Sequence, residues 1–379
     1  MKILYVTARW DPNDPDSGSG VNYQAFSALQ AKVQDIKICG PFDTPPTLIE
    51  RGITRVATYF TKKRFIKFYP SYIRQSNHAV EEMLAAYQPD VIVSKSSIPL
   101  VNIRLSAPLV YICDSTVRWV EKGWPSFSKL GFLFMARWEK KVIDKATHII
   151  TFSQANADML IDYYHKPLSQ VTVHPIPSAL PHHLSSYQER SIVDGKPIHL
   201  LLVGKDYHRK GVDIAIEATR LCNQNGIPAQ LRVVGQDGKD ADFVRFMGLY
   251  SKSNPVQLNR YIDNYRWAHF MIFPSRFDAA GIVPSEAAGF GVPTITNAAG
   301  GLATTVKHGQ SGIVLEKNSP ADAYFKVIQY YWRNTLEYQT LRGSTFQRYQ
   351  RTLNWEIFGD RIFSIIQDVL SHNRIEFKT

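Results

Sequence analysis

Cysteine is scarce. The three residues Cys39, Cys113 and Cys222 are odd in number and far apart in a chain of 379 residues. They form no metal-ligand spacing and no disulfide framework, which excludes a disulfide-stapled module and points to a reducing cytoplasm. Long apolar runs are also missing. The longest strongly apolar stretch near the middle, Leu130 to Ala136, is far too short to span a bilayer. The opening Met1-Lys2-Ile3-Leu4-Tyr5-Val6-Thr7 reads as a buried first strand, because polar Arg9-Trp10-Asp11 follows at once. A secretory leader needs a longer apolar region and a small-residue cleavage site. No repeat of fixed period and no low-complexity segment is visible. A dinucleotide fingerprint is excluded after this strand, since Tyr23 stands where a third glycine would have to follow Gly18 and Gly20. Acids are missing between Arg51 and Val80, while Arg51, Arg55, Lys62, Lys63, Arg64, Lys67 and Arg74 are present, interleaved with Phe60, Phe65, Phe68, Tyr69 and Tyr72. Such a surface suits an anionic membrane or nucleic acid, and no nucleic-acid motif accompanies it. A solvated face with its aromatics in the core is the alternative.

What remains is ordinary in bulk. A hydrophobic content of 44% and a charged content of 20% describe a globular chain, and its length suggests two domains. The net charge of +11 is spread evenly: residues 1–190 hold 22 Lys/Arg and 16 Asp/Glu, leaving 22 and 17 for the rest. Strand-like runs alternate with helical stretches, which argues for parallel sheets flanked by helices. The clearest strands are Ile3–Val6, Asp35–Cys39, Val91–Ser94, Leu109–Ile112, His148–Phe152 and Val171–His174, then His199–Val203, Gln230–Val234, Phe270–Phe273 and Thr294–Thr296. Between the two sets, Pro175 to Lys196 is rich in Pro, His and Ser and reads as a linker.

The densest information lies between Met271 and Pro293. An apolar run stops at Pro274-Ser275, a short loop carries Asp278, and Gly281 opens a small-residue helix that carries Glu286 and ends near Gly291. Pro284 fits a first helical turn, where a missing N–H costs nothing. The two acids stand at D-x7-E spacing across a helix N-terminus, whose free N–H groups and positive dipole suit a phosphate. Carboxylates on both sides of that phosphate can grip hydroxyls, as a sugar nucleotide requires. A buried α/β turn with two incidental acids is the alternative.

Asp278-Ala279-Ala280-Gly281-Ile282-Val283-Pro284-Ser285-Glu286-Ala287 resembles the E-x-F-G-(I/L)-(V/T)-x-x-E-A motif of family four of the retaining glycosyltransferases, which have the GT-B fold. Asp278 replaces the usual Glu on a shorter stem, and Ala280 replaces the usual Phe. The stretch Gly204 to Gly211, after the strand His199–Val203 and before a helix Val212 to Asn223, resembles the family's G-(R/K)-x4-K-G segment. Carried over, Lys205 and Lys210 bind the donor diphosphate, with Arg209 as a further donor contact. Two cations and a helix N-terminus can stabilise the charge built on a departing diphosphate without a metal. The resemblance places Glu286 on the ribose and Asp278 on the transferred sugar. It places the backbone N–H groups from Ala280 through Gly281 to Ile282 on sugar or phosphate, with Ala279 and Val283 beside them. The turn at Gly235 resembles the family's V-G-x-G turn beneath the nucleotide. Between Pro255 and Phe270 the family has a Gly-containing loop near the base, whereas this stretch contains no Gly.

In the first half, Gly18 and Gly20 resemble the family's Gly-rich loop near the donor phosphate. Asp14-x-Asp16 imitates a metal-binding pair of a different glycosyltransferase fold but lies in the first loop, so no metal is expected. Asp114, in Asp114-Ser115-Thr116, occupies the place where many relatives carry a His near the donor sugar; a cap for the next segment is the competing role. Arg118, Trp119, Lys122, Trp124, Phe127, Lys129, Phe132 and Phe134 form a second basic and aromatic cluster.

The resemblance therefore implies an α/β protein of GT-B fold, two Rossmann-like domains facing across a cleft. Residues 1–178 would bind acceptor, 179–356 nucleotide sugar, and 357–379 would form a C-terminal helix returning to the N-terminal domain. The implied activity is retaining, metal-independent transfer of a hexose from a nucleotide sugar, UDP-glucose favoured, to a polysaccharide, glycolipid or lipid-linked acceptor. Asp114, Lys205, Lys210 and Asp278 would be catalytic. No cofactor and no nucleic-acid partner is expected, and the expected location is cytoplasmic, with a peripheral position at the inner face of the membrane left open. A sugar-nucleotide epimerase of the same fold and a non-catalytic sugar-nucleotide-binding protein are the alternatives.

Overall fold

The computed structural model describes residues 1–187 and 190–376, with nothing said of the side chains of Ser19 and residues 373–376. Gln188 and Glu189 of the expected linker, and the last three residues of the expected terminal helix, lie outside the described residues. The chain divides into two units, Met1–His174 with Phe358 onward, and Pro175–Ile357.

The first unit is built on a six-stranded parallel sheet in the order β2-β1-β3-β4-β5-β6: β1 Lys2–Val6, β2 Asp35–Cys39, β3 Val91–Ser94, β4 Leu109–Cys113, β5 His148–Thr151 and β6 Val171–Val173. β1, β3 and β4 are Val- and Ile-rich and buried almost throughout, as strands covered on both faces must be. The helices are α1 Val21–Gln30, α2 Leu48–Thr61, α3 Pro70–Tyr87, α4 Val117–Gly123, α5 Lys129–Lys145 and α6 Gln154–Asp158. Their starts follow local chemistry. Thr47 and Glu50 close a reciprocal capping box on α2, and Ser128 and Ser153 cap α5 and α6.

The second unit repeats the plan in the order β12-β11-β10-β7-β8-β9: β7 Ile198–Val203, β8 Ala229–Val234, β9 Val244–Phe246, β10 Phe270–Phe273, β11 Thr294–Asn297 and β12 Gly312–Leu315. Its helices are α7 Tyr207–Lys210, α8 Val212–Gln224, α9 Pro255–Trp267, α10 Ile282–Ala288, α11 Leu302–Thr305, α12 Ala321–Arg333 and α13 Thr335–Thr352. The last helix, α14 Trp355–Glu376, belongs to the first unit from Phe358 on, where Phe358 packs on Phe152 with ring centres 5.8 Å apart.

Much of the expected linker is packed structure. Ile176, Ser178, Ala179 and Leu180 are buried, the Ser178 N–H donates to the Leu353 carbonyl at 2.9 Å, and the Trp355 indole donates to the Ser178 carbonyl at 2.7 Å. Proline and serine there serve an irregular but fixed path.

Candidate active site

The loop after β10 and the loop after β7 are tied together before any charge is considered. Ser275 Oγ donates to the carbonyls of Arg209 and Phe277 at 2.9 and 3.0 Å. Arg276 forms a two-point pair with Asp213 at 2.9 and 2.6 Å. Gly211, at φ 71°, lies so close to the Pro274 carbonyl that a Cβ would sit 2.1 Å from its oxygen. Gly204 makes room in the same way for the Lys210 stem.

This bracing brings Lys210 onto the Asp278 carboxylate, in hydrogen-bond contact, with Arg209 Nη1 at 3.8 Å. Asp278 Oδ1 also accepts from the Gly281 N–H at 3.0 Å, and the Asp278 carbonyl accepts from Gly301 at 2.8 Å. Burial works against the Asp278 charge, but Lys210, then Arg209 and the Gly281 N–H, outweigh it and hold the carboxyl below the ordinary aspartate range. The Gly281 N–H is engaged by Asp278 itself, whereas the resemblance offered it to sugar or phosphate. The Ala280 carbonyl is engaged too, accepting from Thr305 Oγ1 at 2.5 Å. Ala279, Ile282 and Val283 are half-buried around this turn. Lys205 stays exposed in its loop and does not join the cluster. Gly235, at φ 98°, brings the end of β8 within 2.9 Å of the Gly204 carbonyl, measured from the Cβ it lacks.

Glu286 sits on α10 and is completely buried. Lys252 Nζ meets its Oε1 at 2.6 Å, and the phenols of Tyr261 and Tyr265 both donate to its Oε2 at 2.6 Å. Burial first, and then the Glu286 charge, hold both phenols protonated, so they act as donors. Both carboxylate oxygens of Glu286 are thus engaged by side chains of the second unit. The Gly-free stretch from Pro255 on, where the family has a loop near the base, forms α9, and it supplies both tyrosines. Their four-residue spacing puts them on one helical face, the signal by which they were findable.

In the first unit Asp114 follows β4 directly, and Lys95 follows β3 directly; Lys95 Nζ stands 2.5 Å from both Asp114 oxygens. The helix cap here is Thr116, whose hydroxyl accepts from the Trp119 N–H, so Asp114 does not cap α4. Gly18 and Gly20 take positive φ values of 59° and 79° in a short 3-10 turn leading into α1. Asp14 Oδ1 accepts from the Asp16 N–H at 2.9 Å, a local turn contact.

Two family models match. Residues 21–177 match "Glycosyltransferase Family 4" and residues 186–341 match "Glycosyl transferases group 1". A D-inositol 3-phosphate glycosyltransferase of Acidothermus cellulolyticus is 26% identical over 262 residues, 62% of this chain and 56% of that one. The chain spans about half the length of the curated relatives it matches, 48%, 56% and 52% in three of them. Among solved structures, sucrose-phosphate synthase from Thermosynechococcus elongatus superimposes with a TM-score of 0.69 at 17% identity, covering 98% of this chain and 100% of that one. Anabaena HepE in complex with UDP-glucose does so with a TM-score of 0.65 at 14% identity, covering 97% and 100%. The chain belongs to family four of the glycosyltransferases and has the GT-B fold.

Proposed function

We propose that this family-four chain is a retaining, metal-independent hexosyltransferase that uses a nucleotide sugar, UDP-glucose favoured, and delivers the sugar to a polysaccharide, glycolipid or lipid-linked acceptor. The observation that carries this reading is the convergence of Lys210 and Arg209 on Asp278, at the start of the helix that carries Glu286. The HepE structure holding UDP-glucose supports the choice of donor. In this reading Lys210 and Arg209, with Lys205 from the same loop, face the diphosphate and stabilise the charge that grows on the leaving group. Asp278 holds hydroxyls of the transferred sugar. Glu286 holds the ribose. The acceptor hydroxyl attacks from the face the diphosphate leaves, and a phosphate oxygen takes its proton. No enzyme carboxylate acts as nucleophile. Asp114, oriented by Lys95, is assigned to a hydroxyl on the acceptor side.

A peripheral membrane position is part of the proposal. No helix among the described residues is long and apolar enough to cross a membrane. Yet α2 buries none of its residues: Ile49, Ile53, Val56 and Phe60 form one exposed apolar row, with Phe60 77% exposed, and Arg51, Arg55, Lys62 and Lys63 accompany it. That pattern suits a helix lying in an anionic interface.

The test is a thermal-shift screen of UDP-, GDP- and ADP-sugars, followed by transfer assays with excess chelator. A cognate donor stabilises the fold by mass action. UDP-glucose should raise Tm, and transfer should survive the chelator. Activity lost to chelator and restored by magnesium or manganese contradicts the metal-independent mechanism. Binding without transfer or hydrolysis over many acceptors favours a non-catalytic sugar-nucleotide-binding protein, and donor isomerisation without transfer favours an epimerase.

A further inference from the structure

The surroundings of Glu286 limit how many hydrogen bonds it can still accept. A carboxylate offers about four acceptor sites, two on each oxygen. Tyr261 and Tyr265, one turn apart on α9, each bring one phenolic proton to Oε2 at 2.6 Å. Their hydroxyls lie 2.9 Å from each other, but the bonds to the charged oxygen are the shorter and the stronger, so both protons go there. The Tyr265 ring lies nearly parallel to that of Phe290 at 5.6 Å, and Tyr261 meets Tyr265 edge-on at 5.3 Å. Oε2 is therefore filled by two fixed donors. Lys252 Nζ takes one site of Oε1 at 2.6 Å. Among the described residues, these three donors leave one acceptor site, on Oε1.

Lys252 stays with that site. It lies between β9 and α9, in a loop tied to the helix start. The Ser251 N–H donates to Gln257 Oε1 at 2.7 Å, and the Asn254 side chain caps α9. The Lys252 ammonium also lies 5.3 Å from the centre of the Tyr261 ring. The Glu286 side chain has no exposed surface, whereas that of Lys252 is 20% exposed. Taking the ammonium off so deeply buried a carboxylate leaves an unpaired charge, which costs more than one new hydroxyl contact returns. A ligand hydroxyl therefore joins the pair and does not displace it. A hydroxyl has one proton to give and two lone pairs to receive with, which suits Oε1 and Nζ together.

We propose that Glu286 accepts from a single ribose hydroxyl of the donor, through Oε1, and that Lys252 donates to the oxygen of the same hydroxyl. Lys252 is then a specificity-determining residue of the nucleotide site. A carboxylate with both oxygens open can hold the 2′ and 3′ hydroxyls together; this one, with Oε2 filled by two phenols, reads one of the two. The inference rests on the assignment of Glu286 to the ribose.

The test is calorimetric titration of the full chain with UDP, 2′-deoxy-UDP and 3′-deoxy-UDP. Wild type should bind one deoxy analogue roughly ten- to a hundredfold more weakly than UDP, the worth of a hydrogen bond to a charged group, and the other within about threefold of UDP. Equal losses for the two analogues overturn the single-hydroxyl grip. No loss for either overturns the inference and leaves the diphosphate part of the donor reading in place. If wild type binds none of UDP, GDP and ADP, the donor reading falls and the inference with it, so the two failures are told apart. Lys252→Met supplies the second arm. It should weaken UDP by roughly ten- to a hundredfold and the sensitive analogue much less, because that analogue lacks the hydroxyl that Lys252 touches. A purely structural lysine would weaken UDP and both analogues by one common factor. That result, or unchanged UDP affinity, overturns the role of Lys252. The wild-type comparison needs no variant, so the proposal stays refutable even where Lys252→Met does not fold.

Discussion

Lys210 is the side chain whose removal separates a catalytic loop from a merely braced one. Its ammonium rests against Asp278, and its stem passes where Gly204 has no side chain. If it faces the charge on the leaving diphosphate, Lys210→Ala should cost at least about 2 kcal/mol of transition-state stabilisation, read as kcat/KM in steady-state transfer. An unchanged kcat/KM would return the loop to a structural role. Glu139 of α5 makes a second prediction, on stability. It is buried, accepts from the Val117 N–H at 2.8 Å and from the Tyr164 hydroxyl at 3.1 Å, and burial raises its carboxyl from the ordinary 4.5 to about 7 despite those bonds. Between these two values the folded chain keeps a proton that the unfolded chain has lost. Stability should therefore fall as pH rises through this window, by on the order of 3 kcal/mol in total. Glu139→Gln keeps the acceptor oxygen and removes the titration. Its Tm should exceed that of wild type at about pH 8, and the gap should close toward about pH 5. A gap independent of pH would refute the account of Glu139.

Among the elements, the central strands were legible, because β1, β3, β4, β7 and β10 lie between two neighbours and consist mainly of apolar residues. The edge strands β9 and β12 were not. Each is only three or four residues long and pairs with a single neighbour, so little of it needs to be apolar. The D-x7-E element was legible for a similar reason, since strand, breaker and helix lie consecutively in the chain. Lys95 and Lys252 were not: their acidic partners, Asp114 and Glu286, come from other elements, and no local pattern marks such a pairing. For α2 the sequence showed basic and aromatic residues without their sorting. Phe65, Phe68 and Tyr72 went to the core, while Tyr59 and Phe60 stayed outside. Flotation on phosphatidylglycerol vesicles tests this helix. Wild type should bind in a salt-sensitive manner, each basic residue contributing about 1 kcal/mol, and Ile53→Ser with Phe60→Ser should weaken that binding. Absence of salt-sensitive binding by wild type would remove the membrane proposal.

For the molecule as a whole, the net charge of +11 has no single basic tail to explain it. Part of the excess stands on α2 in the first unit, and part surrounds Asp278 in the second. The account assigns the cations of α2 to membrane phosphates and those around Asp278 to the donor diphosphate. Its central claim is that the donor is held in two places, sugar by Asp278 and ribose by Glu286. Calorimetry with UDP on two variants tests that claim, since UDP keeps the ribose and lacks the transferred sugar; a wild-type Tm confirms that each variant is folded. Glu286→Gln should weaken UDP by roughly ten- to a hundredfold, the worth of a hydrogen bond to a charged group. Asp278→Asn should leave UDP affinity nearly unchanged while turnover falls. If Asp278→Asn loses UDP as severely as Glu286→Gln does, the division of sugar and ribose between the two acids is wrong.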